Sequence, residues 1–290
     1  MEPEFLPWDG RRVPVTFLAG YLGSGKTTLI NSVLATTDRP VAVFVNDVGS
    51  VNVDARLIRR LSGDTLELTD GCVCCSLSDG FGAAFDQLRA REVPPDHLVI
   101  ELSGVAEPAR VVGWASTAGF ALDAVVTLAD LDQLHLRAAD PRVADTVERQ
   151  LAAAHVVLAT KGDLAGEADR AASVAVIERF APTAPVVEIV DGAIDPAALL
   201  GRINGAAPEL DPSTEHRNPH RAENVEPECD DRAALALWLS ELGDDVVRVK
   251  GTAVTGDGQR WDVDRVGTRQ RITSAASEAA AGPIVVIRLV

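Results

Sequence analysis

The sequence predicts an α/β protein with a doubly wound, mostly parallel sheet, followed by a small α+β unit. Three observations carry this expectation. Between residue 13 and about residue 203, short apolar runs alternate with amphipathic stretches, the rhythm of β-α units. The runs Val41-Ala42-Val43-Phe44-Val45 and Leu98-Val99-Ile100 lack polar alternation, as strands covered on both faces do. The first apolar run, Val13 to Ala19, passes through a glycine-rich turn into a stretch with apolar residues at helical spacing.

Taken in order, the strands are expected at 13–19, 41–46, 65–68, 97–102, 123–130, 155–160 and 185–190. Helices are expected at 26–36, 77–91, 107–118, 141–153, 167–180 and 195–203. The rhythm breaks at 205–231, where Asp211-Pro212-Ser213-Thr214-Glu215-His216-Arg217-Asn218-Pro219-His220 reads as a polar linker. Beyond it, 232–242 reads as a helix. Strands at 246–254 and 260–266 flank the turn Thr255-Gly256-Asp257-Gly258, and 283–289 supplies a last strand. The expected division is 1–204, 205–231 and 232–290. The final segment is near the lower size limit for folding alone and is expected to lean on the first domain.

Composition narrows the function. A formal charge of −16 over 290 residues repels polyanions from any broad surface, so nucleic acid is not expected as a partner. No apolar run is long enough to cross a bilayer, and Met1-Glu2-Pro3-Glu4-Phe5-Leu6-Pro7 is unlike a secretory signal. A cytoplasmic protein without a membrane partner is expected. Cys72, Cys74 and Cys75 crowd within four residues while Cys229 stands apart, which suits metal or redox chemistry better than a disulfide framework.

Four motifs carry chemistry. Gly20-Tyr21-Leu22-Gly23-Ser24-Gly25-Lys26-Thr27-Thr28 satisfies the P-loop pattern through Gly20, Gly25, Lys26 and Thr27. Its glycines let backbone N–H groups turn inward around phosphates, and the helix N-terminus adds its dipole. Lys26 reaches the β/γ oxygens, and Thr27 offers a hydroxyl to Mg²⁺. Gly23, Ser24 and Thr28 complete the cradle. Thr160-Lys161-Gly162-Asp163, at the end of a strand, has the form that holds guanine. The Asp163 carboxylate accepts from N1–H and the exocyclic amine, and the Lys161 stem lies along the base. GTP rather than ATP is therefore expected. Glu101, at the end of a core strand, suits the magnesium shell or the attacking water, and Gly104 can bring a backbone N–H to the γ-phosphate. The segment Gly71-Cys72-Val73-Cys74-Cys75 offers three thiolates to a cation such as Zn²⁺. A redox pair or simple burial are its other readings. Asp47, in Asn46-Asp47-Val48-Gly49, reads equally as a cation ligand or a polar loop residue. Asp54 is a weaker candidate, and His216 and His220 read as solvated. Trp238 and Trp261 read as core residues of the small domain.

Together these motifs resemble the CobW-like P-loop GTPases, relatives of the urease and hydrogenase nickel-insertion GTPases. The resemblance also takes in Ile100-Glu101-Leu102-Ser103-Gly104-Val105-Ala106-Glu107-Pro108, Arg149-Gln150-Leu151 and, in the C-terminal region, Arg248-Val249-Lys250-Gly251. It implies GTP hydrolysis coupled to delivery of a transition metal, zinc or cobalt, to an apo-protein, with a homodimer left open. A nucleotide-binding metal buffer or sensor is the alternative, and an ATP-dependent enzyme with a redox cysteine pair is a third account. The chain departs from the family pattern in four ways: Asp47 replaces glutamate, His155 replaces aspartate, the linker lacks a long histidine-rich tract, and the C-terminal region is shortened.

Overall fold

The computed structural model describes residues 7–37, 39–45, 65–67, 77–190, 194, 199–200, 220–266, 269–275 and 284–289. Described residues up to Leu200 form one compact unit and those from His220 onward form another.

In the first unit, β1 (Val13–Ala19), β2 (Val41–Val45), β3 (Thr65–Glu67), β4 (His97–Glu101), β5 (Phe120–Asp130), β6 (Val156–Thr160) and β7 (Val186–Ile189) form a sheet. The order is β3-β2-β4-β1-β5-β6-β7, with every pairing parallel. Helices α1 (Lys26–Thr36), α2 (Leu77–Arg89), α3 (Leu134–Ala139), α4 (Ala144–Ala152) and α5 (Glu167–Phe180) connect the strands. Strand β1 shows why the sheet needs both faces covered. Val13, Val15, Phe17 and Ala19 enter one core with Phe85 and Leu88 of α2, while Leu18 enters the other with Leu29, Ile30 and Val33 of α1. Burial of such a side chain stabilises by about 1.5–3 kcal/mol. The chain leaves β1 toward β2 and β3, then returns through β4 and crosses to β5. The end of β1 is therefore the point where the connections reverse, which is where open α/β sheets place ligands.

One expected helix is replaced and one helix is added. Residues 107–118 form not one helix but two short 3₁₀ turns, Pro108–Arg110 and Val112–Ser116. Buried Val111 and Ala115 have helical spacing, but Pro108 and Gly113 punctuate the segment. Helix α3, six residues long, was below the length at which periodicity is readable. Most of the helix expected at 195–203 lies outside the described residues.

A buried polar cluster interrupts the apolar sheet. The Nε2 atom of His97 lies 2.8 Å from the Thr16 hydroxyl, which donates to Asp123 Oδ2 at 3.3 Å. Burial, aided by the Arg39 guanidinium, pushes His97 down to about 4, and this outweighs the Asp123 carboxylate 3.8 Å away. Because the folded value lies below the unfolded one, neutral His97 contributes full stability above about pH 6.5, and that contribution declines as the pH falls toward 4. Urea unfolding between pH 7 and pH 4 should therefore show up to about 3 kcal/mol more loss in the parent chain than in His97→Gln.

The second unit is an antiparallel sheet of β8 (His220–Val225), β9 (Val246–Val254), β10 (Arg260–Val266), β11 (Arg269–Ser274) and β12 (Ile284–Leu289), ordered β11-β10-β9-β12-β8. Helix α6 (Arg232–Glu241) places Leu235 and Leu239 on Val249, Val263 and Val286. Both of its ends are capped. The Asp231 side chain accepts from Ala234 N at 2.8 Å, and buried Arg265 donates to the Leu239 and Leu242 carbonyls at 2.8 and 3.0 Å. Trp238 and Trp261 pack against this core as expected. Strand β8 lies inside the stretch that its composition marks as linker. No helix among the described residues is long and apolar enough to cross a membrane.

Candidate functional site

The turn after β1 bends at glycines. Gly20, Gly23 and Gly25 have φ of 132°, 79° and 102°, conformations that side chains resist. At Gly20 a Cβ would also lie 2.5 Å from the Leu128 carbonyl oxygen. Helix α1 then begins with Gly25 as N-cap, no side-chain cap and no acid in its first turn. The positive dipole end of such a helix favours an anion. The Lys26 ammonium, with the residue only 5% exposed, donates to the Gly20 carbonyl at 2.7 Å. The Ser24 hydroxyl is buried and has no hydrogen-bond partner among the described residues. A buried orphan hydroxyl in such a turn fits a phosphate oxygen. Tyr21 packs beneath Arg137 of α3, whose guanidinium lies 5.8 Å from the ring, and burial drives the phenol well above its usual range against that cation.

Three other strand ends close on this turn. From β4, Glu101 is buried and its Oε1 accepts from the Thr27 hydroxyl at 3.1 Å. Gly104 lies so close to the turn that a Cβ would fall 2.7 Å from Leu22 N and 2.6 Å from Leu22 Cδ2. The first of these is backbone and cannot move aside, so the residue must be glycine. From β6, the Thr160 hydroxyl donates to the Ser24 carbonyl at 3.0 Å. Lys161, held at φ 59°, donates to the Gly23 carbonyl at 2.6 Å. From β5, Asp130 accepts from Lys161 at 2.7 Å.

The structure thus brings Gly20, Gly23, Ser24, Gly25, Lys26, Thr27, Glu101, Gly104, Thr160 and Lys161 together. Thr28 on α1 and Asp163 in the turn beyond Lys161 are exposed. Asp47, Asp54, Cys72, Cys74, Cys75 and His216 lie outside the described residues, and among those described no cluster of metal-ligating side chains is present. His155, just before β6, accepts from Val125 N through Nδ1 at 3.0 Å, and burial lowers its pKa, so the ring serves as a neutral acceptor between β5 and β6.

Two residues in the site's supports went unassigned in the sequence. Asp130 is one, although an acid ending an apolar run is the signal that marked Glu101. The other is Gln150 of α4, buried, whose side-chain amide donates to the Gly104 and Ala106 carbonyls at 3.1 and 3.0 Å. Its neighbour Arg149 donates to Glu107 at 3.3 Å, and Arg110 donates to the same carboxylate at 3.1 Å. Helix α4 thereby holds the loop that follows β4.

Residues 14–188 match the family model described as CobW/HypB/UreG, nucleotide-binding domain. The sequence is 27% identical over 305 residues to a protein of Sinorhizobium sp named zinc chaperone CobW, covering 89% of this chain and 86% of that one. It is 34% identical over 205 residues to zinc chaperone YjiA of Escherichia coli (strain K12), covering 67% and 62% respectively. The fold is similar to that in a crystal structure of Zn(II)-bound YjiA GTPase from E. coli, with a TM-score of 0.51, 24% identity and coverage of 96% and 95%. The glycine turn, the strand order and the matched residues agree: this chain belongs to the CobW/HypB/UreG family, and its first unit carries that family's nucleotide-binding domain.

Proposed function

We propose that this protein is a GTPase that binds a transition metal, zinc in preference, and passes it to a recipient apo-protein under control of the bound nucleotide. One observation supports this most strongly: the ends of β4 and β6 both touch the P-loop, through Glu101 on Thr27, Gly104 on Leu22, Thr160 on Ser24 and Lys161 on Gly23. A phosphate bound in that loop faces the residues that would sense it. The family supports GTP as the nucleotide, and Asp163 after Lys161 is the group that would choose guanine. The protein names of the relatives support zinc.

Thr27 and Glu101 present two hard oxygen donors 3.1 Å apart beside the Lys26 turn, a donor set that fits Mg²⁺. When bound there, Mg²⁺ would neutralise charge on the phosphate oxygens. Lys26 would bind and orient the same oxygens, Glu101 would align Thr27 or the attacking water, and Gly104 would offer its N–H to the terminal phosphate. Zinc is cargo in this reading, held by Cys72, Cys74 and Cys75 with Asp47 or a recipient's group completing the tetrahedron.

Zinc titration of the full chain with a non-hydrolysable GTP analogue, with GDP and without nucleotide tests the whole proposal. Affinity should differ between nucleotide states by about fivefold or more. Cys74→Ser combined with Cys75→Ser should remove tight binding in every state. Unchanged affinity in that variant would dismiss the thiolate site. Equal affinity in all three states would leave a metal buffer in place of a chaperone.

A further inference from the structure

Asp130 ends β5 directly opposite Thr160 at the end of β6. Both termini face the P-loop, and they are stitched together by Leu131 N donating to the Thr160 carbonyl at 2.9 Å. Asp130 is buried, its side chain 9% exposed, and its carboxylate is used on both sides. Oδ1 accepts from Asp132 N at 3.1 Å, and Oδ2 accepts from Lys161 at 2.7 Å. The first bond fixes the carboxylate plane, so the second has a defined direction. Lys161 itself is bent into the left-handed region, at φ 59°. That conformation costs a non-glycine residue roughly 1–2 kcal/mol. The bend turns its stem back over the loop, where the ammonium meets Gly23 at 2.6 Å. A lone carbonyl is a weak anchor for a partly buried ammonium that water would otherwise solvate. A carboxylate at hydrogen-bond distance is a charge-assisted one.

We propose that Asp130 is a positioning residue for nucleotide binding. Its carboxylate clamps Lys161 onto the P-loop, so that the phosphate-side and base-side loops hold a guanine nucleotide as one unit and release it slowly. The proposal rests on the reading of Lys161 and Asp163 as the guanine site. Without the carboxylate the lysine head turns to water, its stem no longer lies fixed beside the base, and the two loops open independently.

Release of fluorescently labelled GDP from the full chain tests this in a double-variant cycle. Asp130→Asn should release GDP about tenfold faster, a loss of about 1.4 kcal/mol. Lys161→Met should do about the same, and the double variant should release no faster than Lys161→Met alone, because Asp130 acts through Lys161. A merely structural role would instead make the two effects multiply, and that result, or an unchanged rate in Asp130→Asn, overturns the proposal. Asp130→Ser reads the same quantity should Asp130→Asn fail to fold. The guanine assignment is tested apart, with Asp163→Asn and xanthosine diphosphate. A gain of xanthosine affinity beside multiplying effects overturns only the positioning role. No gain beside a coupled cycle overturns only the base assignment.

Discussion

Lys26→Ala is expected to lower GTP turnover by about 10²–10³-fold, the loss that follows removal of one preorganised donor from a charge-stabilising site. Few groups here are placed so narrowly. The residue is 5% exposed, and its ammonium rests 2.7 Å from the Gly20 carbonyl and 3.5 Å from that of Tyr21, inside the turn that would wrap the phosphates. Buried in that way, it has already lost most of its rotamer freedom and its water, so little reorganisation opposes its attraction to a triphosphate. Alanine removes the charge and leaves the glycine turn without its cation. Lys26→Arg should fail to restore the rate, because a planar guanidinium differs in both size and donor geometry from the ammonium the turn encloses. Phosphate release at saturating GTP, with labelled-nucleotide binding measured alongside, checks both variants. Turnover surviving in Lys26→Ala would move the chemistry away from this turn.

A second large effect belongs to stability alone. Phe85→Ala should destabilise the first unit by about 3–5 kcal/mol. In a domain of this size that corresponds to roughly 10 °C in melting temperature. Phe85 is fully buried in α2 and meets Phe44 and Phe120 edge-on, with centroids 5.7 and 4.5 Å apart, while stacking on Trp114 at 6.1 Å. Three elements, β2, β5 and the 3₁₀ segment before β5, therefore lean on one ring. Phe44 and Phe120 are themselves held by strands, so the cavity can collapse only in part, and most of the penalty should register by calorimetry. Phe85→Leu, which retains more volume, should cost markedly less.

The parts legible in the sequence were those with a single physical cause. The strands of the parallel sheet had to be apolar on both faces, so 41–45 and 98–100 announced themselves as unbroken apolar runs. The P-loop was legible because its glycines are demanded by backbone geometry, as Gly20 against Leu128 illustrates. Other elements depend on partners distant in the chain. Strand β11, Arg-Gln-Arg-Ile-Thr-Ser, sits at a sheet edge and sends only Ile272 into the core, so its local pattern is weak. Strand β8 is equally polar and exists through its pairing with β12. Asp130 and Gln150 gain meaning only once β5, β6 and α4 are side by side, since their partners lie 31 and more than 40 residues away.

Strand β1 begins at residue 13, yet its neighbours start at His97 and Phe120. On a ribosome adding about 5–20 residues per second, its second neighbour starts to emerge only after a further 5–20 s, roughly. Until then this strand, whose Val13, Val15, Phe17, Leu18 and Ala19 are all destined for burial, lacks at least one of the two strands that flank it, and the turn that follows it is only partly enclosed. Newly made protein should be at its most adhesive in this interval, and nucleotide can assist maturation only after it ends.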